Sequence, residues 1–142
     1  MMDAKNNDMS VVQYHPLVLA YIGDAVYEVF IRNMLVERKK ISVHKLHVKS
    51  ILYVKASAQA RVLHEILGDL NEDECDIVRR GRNAKSGTIP KNAKVSDYKH
   101  ATAFEALIGY LYLNKQYERL NEIMEKSVKL IDERLSEGVE ND

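Results

Sequence analysis

The stretch LAYIGDAVYEVFIRNML, residues 19–35, decides the fold. It is apolar almost all round, and between Leu17 and Val36 only Asp24, Glu28 and Arg32 are charged. A helix apolar on every side is central in a fold or covered by another subunit. Pro16 stands just ahead, and proline is tolerated at the first helical position. The pattern predicts a helix from Pro16 to about Val36. Its three charged residues recur every fourth position, which places them in one row. Glu28 before Arg32 is a favourable pair, worth about 0.2–0.5 kcal/mol on an isolated helix. Asp24 meets another acid one turn on, so solvent, a remote cation or a metal must accommodate that charge.

Helix formers dominate outward from this stretch. The 142 residues include only two prolines, Pro16 and Pro90, and six glycines, and no Asn-Gly or Asp-Gly hairpin signal occurs. The chain reads as all-α. A second helical region spans about Ser42–Leu67, as one helix or two. Leu67-Gly68 reads as a helix stop. A third helix runs from about Asn71 to Arg80, opened by the acids Glu72, Asp73 and Glu74. A fourth runs from about Asp97 to Leu113, and a last one from about Gln116 to Leu135. One domain over residues 1–142 is expected, with frayed tails at 1–12 and 136–142. At 46% hydrophobic and 30% charged the composition excludes a disordered chain. The single cysteine, Cys75, excludes an internal disulfide framework and a multi-Cys zinc site, and among acids it is a poor nucleophile. No apolar run reaches the roughly 20 residues of a membrane span and no signal core opens the chain, so a cytoplasmic location is expected.

Lys+Arg and Asp+Glu are each 21, so net charge is silent about partners. Its distribution is not. Residues 65–76 carry six acids and lack Lys and Arg, whereas 79–99 carry Arg79, Arg80, Arg82, Lys85, Lys91, Lys94 and Lys99 against Asp97 alone. GRNAKSGTIPKNAKVS, residues 81–96, reads as a long loop, and such loops are usually functional or disordered. Arg79, Arg80, Arg82, Lys85, Lys91 and Lys94 are candidate contacts to a polyanion, with Asn83 and Ser86 as neutral donors; the family resemblance given below makes that polyanion RNA. An ordinary solvated charge run is the bland alternative. Lys39, Lys40, Lys45 and Lys49 form a weaker basic group. His44 and His47 lack a third partner and carry no metal expectation.

In ATAFEALIGYLYL, residues 101–113, Glu105 is the sole acid and interrupts an apolar stripe. A buried lone carboxylate is costly unless it is paired or bound to a metal. Gly23 sits beside Asp24, and Gly109 lies one turn after Glu105. A mid-helix glycine costs about 1 kcal/mol relative to alanine. Close approach of a second backbone is one reason to accept that cost. If the two helices cross at their glycines, Asp24 and Glu105 converge on one ion; otherwise they are carboxylates at a wet helix edge.

Together LAYIGDAVYEVFIRNML and TAFEALIGYLYL resemble two helices of the ribonuclease III family in motif, order and separation. RGRNAKSGTIPKNA, residues 80–93, and an end at Asp142 without a double-stranded-RNA-binding domain resemble its Mini-ribonuclease III branch. The resemblance implies an all-α endonuclease domain working as a homodimer on double-stranded RNA, with Mg²⁺ as cofactor. In that branch the substrate is the precursor of 23S ribosomal RNA, and a ribosomal-protein helper is a further expected partner. The resemblance puts the catalytic and metal-binding roles on Asp24 and Glu105. Cleavage would leave 5′-phosphate and 3′-hydroxyl ends.

Two positions depart from the family pattern. An acid is expected four residues before Asp24, where Ala20 stands, and three before Glu105, where Thr102 stands. An ion would then keep more water, which Mg²⁺ tolerates. The departures also leave open a non-catalytic RNA-binding or ribosome-associated protein on the same fold. A helical dimerisation module without RNA is a third reading.

Overall fold

The computed structural model describes residues 10–85, 89, 91 and 94–141. Six helices carry the fold: α1 (Pro16–Arg38), α2 (Val43–Val54), α3 (Ala56–Ile66), α4 (Glu72–Asn83), α5 (Val95–Leu113) and α6 (Tyr117–Asn141). The described residues contain no strand, and none of their helices is long and apolar enough to cross a membrane. The all-α expectation therefore holds.

Local chemistry sets most helix ends. Pro16 occupies the first turn of α1, and the Leu17 N–H donates to His15 Nδ1 at 3.0 Å. Asn71 and Glu74 cap α4 reciprocally, each side chain accepting the other's backbone N–H at 2.9 and 3.0 Å. The second helical region does divide: Lys55 is extended (ψ 152°), ending α2 and starting α3. The Leu67-Gly68 stop appears as a 3-10 turn, Leu67–Asp69, following Ile66.

α5 lies at the centre, packed on α1, α3 and α4 and touching α6. Phe104, Leu107, Ile108 and Leu111 of α5 are fully buried with Leu19 and Ile31 of α1 and Leu63 of α3. Tyr27 meets the Phe104 ring edge-on at 5.0 Å. α1 is only half enclosed: Leu19, Gly23, Tyr27, Ile31 and Leu35 face the core, while Tyr21 and Val29 are 78% and 66% exposed. α5 is buried from Ala101 to Leu111 apart from the half-buried Thr102 and Glu105.

Both ends of the described residues carry helical turns. Residues 1–9 lie outside the described residues, but Val11–Gln13 form a 3-10 turn held by Arg80, which donates to the carbonyls of Val12 (2.6 Å) and Tyr14 (3.0 Å). At the other end α6 runs on to Asn141, with no proline after Leu135 to stop it. Polar ties fasten the remaining elements. Glu74, buried on α4, pairs with Arg119 of α6 at 2.8 Å. Arg38 and Tyr53 both bind Asp132, at 2.8 and 2.5 Å, joining α1, α2 and α6.

Candidate active site

The two mid-helix glycines mark the crossing of α1 and α5. A Cβ added at Gly23 would lie 1.7 Å from the Glu105 carbonyl oxygen, and one at Gly109 would lie 1.9 Å from that of Leu19. No side chain fits either place, so glycine here is required by backbone contact. This crossing brings Asp24, on the exposed side of α1, against Glu105, which is partly buried on α5. The helix crossing anticipated from the glycines is present.

Burial pushes the Glu105 carboxyl up to about 8. The charge of Asp24, a hydrogen bond with Asp24 and the more distant charge of Glu28 act in the same direction. The Gln59 side chain, reaching Glu105 from α3, acts oppositely and favours the ionised form. Gln59 is 1% exposed, and its Nε2 makes no well-aligned hydrogen bond among the described residues. The amide therefore neighbours the carboxyl without bonding it squarely. Glu28 is engaged elsewhere, accepting from Arg32 Nε at 3.0 Å as the sequence row suggested. Among the described residues no three His, Cys, Asp or Glu side chains converge as a metal cage. Asp24 and Glu105 offer oxygen donors only, from two rigid helices at the protein surface, a set suited to a hard divalent cation that keeps several waters.

Residues 17–116 match the Ribonuclease III domain family. The chain belongs to the ribonuclease III family. Among its relatives are the Mini-ribonuclease 3 proteins of Thermoanaerobacter sp., 53% identical over 123 residues and covering 87% of either chain, and of Clostridium tetani, 52% identical over 130 residues and covering 91% of this chain and 86% of that one. The Mini-ribonuclease 3 of Staphylococcus aureus is 41% identical over 129 residues. The crystal structure of a Fusobacterium nucleatum protein superposes with a TM-score of 0.76 at 34% identity, covering 82% of this chain and 93% of that one. The protein is an endoribonuclease of the Mini-ribonuclease 3 branch. Ribonuclease III enzymes depend on divalent metal and act on double-stranded RNA as dimers.

Two residues stand where the sequence comparison with the family pattern expected further acids. Ala20 is 6% exposed in the core, and the Thr102 hydroxyl donates to the Tyr98 carbonyl at 3.0 Å.

The basic candidates divide by what already holds them. Arg79 pairs with Asp76 of its own helix, and Arg82 Nε lies 3.4 Å from Asn83 Oδ1. Arg80 gives two donors to the N-terminal segment and acts there as a tie. Lys85, Lys91 and Lys94 are exposed; Ser86 lies outside the described residues. Asn83 and Lys85 line a groove of about 420 Å³ with Leu17, Tyr98, Lys99 and Thr102. That groove reaches Thr102, one helical turn before Glu105, while Asp24 and Glu105 themselves do not line it. Sequence reasoning missed Gln59, Tyr98 and the groove role of Lys99. His64 and His100 stack across α3 and α5 at 4.5 Å without a third ligand among the described residues.

Proposed function

We propose that this endoribonuclease is Mg²⁺-dependent, cuts double-stranded RNA as a homodimer, and matures the ends of the 23S ribosomal RNA precursor. One observation carries the chemistry: the glycine crossing sets α1 and α5 in backbone contact beside Asp24 and Glu105, where burial and the charge of Asp24 hold the Glu105 carboxyl above its ordinary range. Asp24 and Glu105 would hold the ion. A bound Mg²⁺ supplies a Lewis acid at the scissile phosphate and lowers the pKa of water there. The chain's own part is to present both carboxylates ionised and rigidly aimed. Attack on phosphorus opposite the 3′ oxygen leaves 5′-phosphate and 3′-hydroxyl ends.

Lys85, Lys91, Lys94, Arg82 and Asn83 supply phosphate and 2′-hydroxyl contacts along the groove edge, with Arg79 beside them, as a duplex read by shape requires. The homodimer is supported by α1. Val18, Tyr21, Ala25, Val29 and Val36 fall on one stripe of that helix, and its four large members are 47–78% exposed. A second copy covers such a stripe. The cytoplasm, with its ribosomal RNA precursors and a ribosomal-protein helper, is the corresponding setting.

The test uses purified protein and a long RNA duplex at low salt. The reading expects cleavage in Mg²⁺ and none in EDTA. Asp24→Asn and Glu105→Gln should each cost more than the roughly 10–100-fold typical of residues behind the ligands, while RNA is still bound. Wild-type rates from either variant would remove that residue from the site. Ala20 and Thr102 favour one second reading, a non-catalytic RNA-binding protein. It predicts a shifted but intact duplex in Mg²⁺.

A further inference from the structure

Gln59 is the one buried polar group at this site that the chemistry above leaves unused. It stands in the first turn of α3, 1% exposed, with an Nε2 that has no hydrogen-bond partner among the described residues. Buried side-chain donors are nearly always paired, and an exception calls for a reason. The reason lies beside it. Glu105 is flanked by Asp24 on α1 and by Gln59 on α3. The Gln59 amide neighbours that carboxyl, yet Nε2 makes no well-aligned hydrogen bond.

We infer that Gln59 is a positioning residue: its Nε2 amide donates to the Glu105 carboxylate when a divalent cation is held between Asp24 and Glu105. This rests on the two-carboxylate site proposed above and names what holds its second member. Were one Glu105 oxygen to hold the ion, the other would be left for a donor. Gln59 is the donor available there. A neutral amide suits the task, since an acid would add charge to a buried site and a lysine would compete with the cation. The need is sharper in this chain than in the family pattern. Ala20 and Thr102 stand where two further carboxylates are expected, so fewer neighbours fix the direction of Glu105. Groups behind metal ligands commonly tune affinity or activity by about 10–100-fold.

The experiment compares the full-length chain with Gln59→Met and Gln59→Leu, which remove the donor at similar volume. Mn²⁺ affinity is measured calorimetrically without RNA, cleavage is followed across Mg²⁺ concentration, and melting is recorded in EDTA. The expected result is a Mn²⁺ Kd weakened by about 10-fold or more. The half-saturating Mg²⁺ concentration should rise in step, with the KM for RNA unchanged. Melting in EDTA should be equal to or above wild type, because an unpaired buried donor has been removed. A Mn²⁺ Kd within about twofold of wild type in both variants overturns the role of Gln59. A fall in EDTA melting in both would make it a packing residue and also overturn it. Wild-type protein that binds no Mn²⁺ overturns the two-carboxylate site itself, and this inference with it.

Discussion

Glu105 couples ionisation to folding, and the sign of that coupling can be worked out. Its pKa is pushed up to about 8 in the folded chain, chiefly by burial and then by Asp24, from an ordinary value of 4.5. Between these values the unfolded chain releases the Glu105 proton while the folded chain keeps it. The favourable contribution is therefore complete below about pH 4.5 and is lost as pH rises toward 8. The loss is at most about 1.4 kcal/mol per pH unit. Glu105→Gln cannot show this dependence. In EDTA, the melting temperature of Glu105→Gln minus that of wild type should grow steadily from pH 5 to pH 8. Parallel pH profiles would contradict the buried-carboxyl description.

At the scale of elements, the α1–α5 crossing is the part of the site most sensitive to volume. Gly23→Ala puts a methyl 1.7 Å from the Glu105 carbonyl oxygen, and only displacement of one helix relieves it. Overpacking a core typically costs about 1–3 kcal/mol, and contact with backbone on both helices places this change at or beyond the upper end. Thermal melts should show that loss, with cleavage falling further than stability because the carboxylates move apart. A stable, active Gly23→Ala would refute the close crossing. Much of this was legible in the chain. A glycine inside an apolar helix signals a neighbour, and two such glycines beside two acids signal which neighbour. Pro16, Asn71 and the Leu67-Gly68 stop likewise act within a few residues of themselves. What was not legible depends on distant partners. Gln59 sits in KASAQARVL, where it resembles any surface polar residue, and only α3 packing on α5 buries it. Arg80 reads as one more cation beside Arg79 and Arg82, but its acceptors are carbonyls 66 and 68 residues away. The extended residue at Lys55 has no glycine or proline to announce it.

Across the whole molecule, zero net charge conceals a division of labour. The acids of residues 65–76 are partly internal, since Glu74 and Asp69 bind Arg119 and Lys126 of α6. The exposed cations from Arg82 to Lys94 face solvent beside the groove that leads to Thr102. Neutralising phosphates with such residues makes RNA affinity fall with salt, by a log–log slope near 0.9 per contact on a B-form duplex. Arg82→Glu, Lys85→Glu, Lys91→Glu and Lys94→Glu together should weaken duplex binding and flatten its salt slope by about 2–4. Arg80 is best left intact, because reversing it would release the N-terminal segment. Unchanged affinity and slope would mean that RNA lies elsewhere. The exposed stripe of α1 is where the proposed homodimer would pair, which sedimentation at micromolar concentration can check.

The central claim is that Asp24 and Glu105 hold one divalent cation between α1 and α5. Diffraction near the manganese absorption edge, from crystals grown in Mn²⁺ out of a preparation that cleaves duplex RNA, tests it most directly. The account predicts an anomalous peak between these two carboxyl groups. An active preparation whose crystals show no peak there, or a peak held by other residues, would contradict it.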